Sequence, residues 1–73
     1  MSLTFKMLRK KENLKVEDVS RELNISESAY RKYERSARIP QGKTLLQMKK
    51  LFKCTDDEII AALKYHTANK VND

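Results

Sequence analysis

The sequence predicts an all-α fold, a compact bundle of about five short helices. Three observations lead there. Apolar residues recur at spacings of three and four between brief breaks, the period of a helix with one buried face. No stretch alternates apolar and polar residues for long, as a half-buried strand would. One glycine and one proline interrupt 73 residues. A chain of this length makes a single domain near the lower limit for folding without staples. The domain is expected over residues 1–66, followed by a polar tail at 67–73 that frays.

The first helix is expected at about Leu3 to Glu12, with Leu3, Phe5, Met7 and Leu8 giving it a broad apolar side. Asn13 follows it, where a left-handed residue is common, and Leu14 re-enters the core. The second helix is expected at about Val16 to Leu23. Val16, Val19, Ser20 and Leu23 share one face, and Glu17 and Asp18 suit the positive end of the helix dipole. Asn24 ends it, as a residue that tolerates positive φ. The third helix is expected at about Glu27 to Arg35, capped by Ser26, with Tyr30 and Tyr33 one turn apart and inward. A loop with Pro40 and Gly42 leads to a fourth helix at about Thr44 to Phe52, with Leu45, Met48, Leu51 and Phe52 inward. Thr55 and Glu58 form the capping-box pattern T-x-x-E, the strongest helix-start signal in the chain, and the fifth helix then runs to about His66.

Composition narrows the function. The formal net charge is +6, from 16 basic and 10 acidic residues. A basic domain attracts polyanions, although a lysine-rich solubilising surface gives the same sum, so the positions of the charges must decide. No apolar run approaches the ~18 residues of a membrane span, no signal peptide is visible, and the single cysteine, Cys54, fits a reducing compartment. The expectation is a soluble protein of the cytoplasm. Cys54 and His66 are too few for a metal site, which wants about four ligands. No nucleophile–base set, Gly-rich phosphate loop or acidic pair is visible, so no catalytic residue, cofactor or small-molecule ligand is expected, and the chain reads as a non-enzyme.

Between about residues 16 and 35, two short helices flank the three-residue turn Asn24-Ile25-Ser26. In a helix-turn-helix unit the helices cross steeply and share a small core. Val19, Ser20, Leu23, Ile25, Tyr30 and Tyr33 supply the apolar or small positions that this geometry needs. Glu27, Ser28, Arg31, Lys32 and Arg35 are left to project outward, a polar stripe with a basic C-terminal half.

With these residues the chain resembles the phage repressor and Cro type of helix-turn-helix protein. LRKKENLKVEDVSRELNISESAYRKYERSARIP matches the family's first helix, motif and following loop, and TLLQMKKLFKCTDDEI matches its fourth helix and the start of its fifth. The resemblance covers roughly Leu8 to Ile60. It implies the lambda-repressor-like fold, and a homodimer that puts the motif's second helix in the major groove of double-stranded DNA. The family's base-contacting positions fall on Glu27, Ser28 and Lys32, with Arg31 adjacent. Lys and Arg can donate to guanine, Glu can accept from cytosine, and Ser can bond either edge. Phosphate contacts are implied for Ser26, Arg35, Arg38 and Lys43, with backbone N–H groups helping. An ion pair between Arg9 and Glu34 is implied as a structural feature. Dimerisation is expected through the fifth helix and tail, where Ile60, Leu63 and Tyr65 leave an apolar patch. Together these imply a small repressor of phage or mobile-element type.

The chain departs from the family pattern at several places. Val16 stands where a phosphate-bonding glutamine is frequent. Lys15 holds the N-cap place of the second helix, Ser20 that of a small alanine and Lys49 that of another alanine, while Cys54 takes the place of a core valine. Asn24, Ser36 and Lys53 stand where glycine is frequent.

Plainer readings stand beside these. Tyr30 and Tyr33 are expected to pack rather than stack on bases. Glu27 suits a helix start with or without a base to read. The cations of the stripe could be a solvated face, Lys10 and Lys11 could be solvated or near phosphate, and His66 is expected to complement the end of its helix. The rival function is a protein–protein module that binds another regulator through helix 5 without reading DNA.

Overall fold

The computed structural model describes residues 3–71. Its elements are α1 (Phe5–Lys11), α2 (Val16–Leu23), α3 (Glu27–Glu34), α4 (Gly42–Phe52) and α5 (Asp56–Ala68), with no strand among the described residues. The first two residues of the expected domain and the last two of the expected tail lie outside the described residues.

Local chemistry sets the helix starts. Thr4 caps α1, its Oγ1 accepting from the Met7 N–H at 3.2 Å, so the helix begins at Phe5 rather than Leu3. Lys15 gives α2 no side-chain cap, but the Asp18 carboxylate accepts from the Lys15 N–H at 3.0 Å, which is half of a capping box. The full box opens α5. Thr55 Oγ1 accepts from the Glu58 N–H at 3.1 Å, and the Glu58 carboxylate accepts from the Thr55 N–H at 2.9 Å. That backbone N–H holds the Glu58 carboxyl below its ordinary value. α4 begins at Gly42, two residues before the sequence expectation, with Gln41 at its N-cap. Glycine is a weak helix former, but Gly42 is the exposed first residue of α4 rather than an interior one.

The chain turns at left-handed residues. Asn13, Asn24, Ser36 and Lys53 all have positive φ, between 50° and 64°. Asn13 and Asn24 tolerate it through a short polar side chain, whereas Lys53 carries a Cβ penalty. At the end of α4, Lys11 Nζ donates to the Phe52 carbonyl at 3.2 Å, satisfying an acceptor that the helix leaves open. Lys11, read as solvated or phosphate-facing, therefore has a structural contact.

α2 packs most closely on α3, and α1 lies across α3, α4 and α5. Phe5, Leu8, Val19, Tyr30, Met48 and Phe52 are fully buried between them. Ser20 is buried in the place of a small residue, and its hydroxyl donates to the Glu17 carbonyl at 3.0 Å, so it leaves no orphan donor in the crossing. Cys54 is buried too, and burial pushes its thiol above the ordinary value.

The end of the chain differs from expectation. α5 continues two residues past His66 to Ala68, and the Val71 N–H then donates to the Ser36 carbonyl at 2.9 Å. His66 does not turn outward to complement the helix end. Its ring is fully buried and stacked on Phe5 at a centroid distance of 4.3 Å. Its Nε2 accepts from the Phe5 N–H at 3.2 Å, and its Nδ1 lies 2.7 Å from Ser36 Oγ. A free first-turn N–H of α1 needed an acceptor, and the imidazole supplies it.

Candidate nucleic-acid interface

α3 is fixed before any side chain on its outer face is considered. Ser26 Oγ accepts from the Ala29 N–H at 3.0 Å, which starts the helix at Glu27. Tyr30 and Tyr33 then lock its rotation from inside. Both are buried, their rings meeting edge to face at 6.3 Å, so they serve packing. With that face spent, helical periodicity turns Glu27, Ser28, Arg31 and Arg35 outward, and all four are exposed. Lys32, read as projecting outward, is half-buried. A lysine stem can lie along apolar surface.

The stripe has internal structure. Arg31 and Glu27, one turn apart, form an exposed ion pair at 3.5 Å. Such pairs contribute little to stability, about 0–1 kcal/mol, so both groups can exchange partners at small cost. The Ser26 hydroxyl oxygen is occupied as a helix cap, but its O–H remains a donor.

The loop after α3 is tied to that helix. The N–H groups of Ala37 and Arg38 both reach the Lys32 carbonyl, at 2.9 and 3.2 Å. Arg38 is exposed, and Lys43 is exposed in the first turn of α4 rather than in the loop. Around the starts of α2 and α3 runs an open cleft of about 580 Å³, whose lining includes Lys10, Lys15, Glu17, Glu27 and Arg31. Val16 also borders it, and its side chain offers no hydrogen bond there.

Arg9 and Glu34 hold the frame from behind. Arg9 Nε donates to Glu34 Oε2 at 2.6 Å, Nη2 to Oε1 at 3.2 Å and Nη1 to the Leu14 carbonyl at 2.8 Å. The two side chains are 10% and 11% exposed. The Glu34 hydrogen bond raises the Arg9 pKa further, against the effect of burial. The pair links the end of α1 to the end of α3 and, through Leu14, to the start of α2. The Tyr30 hydroxyl is buried within reach of this pair and has no hydrogen bond of good geometry among the described residues. Burial, followed by the Glu34 carboxylate, pushes that phenol far above its ordinary value, so it stays neutral.

The helix-turn-helix family model of the Cro/C1 type matches residues 5–59. The chain belongs to this helix-turn-helix family. It has the family's helical, lambda-repressor-like fold and is a DNA-binding regulator of the Cro/C1 type; members are regulators of this kind rather than enzymes. Comparison with curated proteins and with solved structures gives no match. Among the described residues no helix is long and apolar enough to cross a membrane.

Sequence reasoning missed Lys11, Ser36 and His66 as structural residues. The family pattern marks Ser36 as a position that favours positive φ. Nothing in linear spacing pairs its hydroxyl with a histidine 30 residues away.

Proposed function

We propose that this helix-turn-helix protein is a sequence-specific transcriptional repressor of phage or mobile-element type, acting in the cytoplasm as a homodimer with α3 in the major groove. The observation that carries the reading is the outer face of α3. Glu27 and Ser28 stand exposed at its start and Arg31 one turn further on, on a helix locked by Tyr30 and Tyr33. These three and Lys32 are the base-reading residues. Ser26, Arg35, Arg38 and Lys43 hold phosphates beside them.

Size sets how a dimer would read DNA. The molecule measures 27 × 26 × 21 Å, whereas equivalent major-groove faces of two half-sites lie about 34 Å apart. One copy spans a single half-site, and a palindrome needs two. α5 and the tail are the contact we favour, because Ile60 and Val71 are 45% and 47% exposed and Leu63 and Tyr65 are half-buried beside them in the sequence. A C2 axis through that face would make the interface self-complementary.

Salt separates this reading from the protein-binding alternative. Binding to a random-sequence duplex pool should weaken with a log–log slope of about −0.9 for each phosphate contacted. Arg38→Ala and Lys43→Ala should each make the slope shallower by about that amount. Failure to bind the duplex pool at low salt, with a partner held through α5 at all salts, would replace DNA reading by the protein-binding module.

A further inference from the structure

Ser36 and His66 join four segments of the chain at one point. The Phe5 backbone nitrogen can only donate, so the His66 Nε2 that faces it at 3.2 Å carries a lone pair. The proton of the neutral ring is therefore on Nδ1, and it is donated to Ser36 Oγ at 2.7 Å. Ser36 itself sits at φ 64°, its N–H on the Tyr33 carbonyl and its own carbonyl accepting from Val71. The end of α3, the start of α1, the end of α5 and the tail all meet there. Two residues on is Arg38, whose N–H returns to α3.

We propose that His66 is a positioning residue for DNA binding: as a neutral imidazole it clasps Ser36, and with it the loop that carries Arg38, to the start of α1, and acid opens the clasp and weakens DNA binding. The inference rests on the DNA-binding reading above.

The chemistry admits one charge state. Protonation puts an N–H on Nε2, donor against the Phe5 donor, and places a cation in a fully buried site. Glu34 on α3 is the charged group whose field favours that cation. Tyr65 on α5 meets the ring edge-on at 5.2 Å, and α1 and the loop meet it with Phe5 and Ser36. Burial outweighs Glu34 and holds the ring below its ordinary value of 6.5. A histidine with a depressed folded pKa stabilises the fold fully above the unfolded value, and loses that contribution as pH falls through the folded pKa. His66 is the one histidine, so as pH falls from about 6.5 its ring is the side chain expected to change charge ahead of the ordinary carboxylate range of about 4–4.5.

The sign is distinctive. Acid makes a protein more positive and by itself strengthens its attraction to DNA. Below the ring's own pKa, the clasp instead lowers affinity by up to tenfold per pH unit.

The test follows the His66 ring and the amides of Phe5, Ser36 and Arg38 by NMR from pH 7.5 to 4.5, beside the affinity for a selected duplex over the same range. We expect the ring and all three amides to share one midpoint below 6.5, with affinity falling past it. In Ser36→Ala the Arg38 amide should cease to follow the ring, and in His66→Gln, if it folds, affinity should hold or rise in acid. Loop amides that ignore the ring's titration overturn the clasp. Affinity that is flat or rising while the ring and loop titrate together overturns the positioning role. Failure to bind any duplex at pH 7.5 defeats the DNA-binding reading first and this role with it.

Discussion

Removing the Arg9 guanidinium should be among the most damaging changes available to this fold. Arg9→Ala strands the Glu34 carboxylate and the Leu14 carbonyl, which now accept three donors from Arg9 at 2.6 to 3.2 Å. Breaking a buried pair from one side costs about 3–5 kcal/mol. With 10% and 11% exposure left to the partners, water reaches the site slightly, so we expect about 3 kcal/mol, the low end of that range. A domain of this length has about 4–11 kcal/mol in total, so the variant gives up roughly a quarter or more of it. At about 4–8 °C per kcal/mol for a domain of this size, Tm should fall by about 12–24 °C. Glu34→Ala should cost a similar amount by leaving a buried cation. The double variant should lose well under the sum, with a coupling of about 2 kcal/mol, because neither charge is then orphaned. Urea unfolding of all four proteins followed by far-ultraviolet circular dichroism reads the cycle directly. Single losses below about 1 kcal/mol, adding without coupling, would mean that the pair behaves as a solvated surface contact and that the reasoning about the frame is wrong.

Other substitutions probe single links. Lys53→Gly relieves a Cβ at φ 50° and should raise stability by up to about 1 kcal/mol, the left-handed penalty of about 1–2 kcal/mol less the entropy glycine adds to the unfolded chain; a lower Tm would contradict it. Glu58→Gln tests the capping box by pH. The Glu58 carboxyl is held below 4.5 in the fold, so its stabilisation is present above 4.5 and is lost as pH falls through the folded value. The Tm gap between wild type and Glu58→Gln should therefore close in acid. Glu27→Ala breaks an exposed pair with Arg31 and should cost under about 1 kcal/mol of stability, while changing which bases are preferred opposite the start of α3; unchanged preference would leave Glu27 as a helix-start residue alone.

The fold was legible because its signals are local and repeated. Helical spacing, the Ser26 cap, the Thr55–Glu58 box and asparagines at turn positions each name a boundary without knowledge of the whole. α2 was read to the residue for that reason. α4 starts two residues before the expectation, because Gly42 carries a weak helix signal. The outward stripe of α3 followed from the inward tyrosines, yet the half-burial of Lys32 did not, since a lysine stem can lie either way on an apolar shoulder. The Ser36–His66 contact was not legible at all. A lone histidine near a helix end suggests a solvent-facing cation, and only tertiary structure brings a free N–H of α1 to its ring.

The most direct test of the account is selection of wild type and of an Arg31→Ala variant against a random-sequence duplex pool at moderate salt. The wild type should recover a palindrome with half-sites about one turn apart, and the variant should bind with altered or relaxed preference at one position in each half-site. Retention of duplexes with no enriched sequence, the same for both proteins, would contradict reading by α3 and leave only the attraction of a basic domain for DNA.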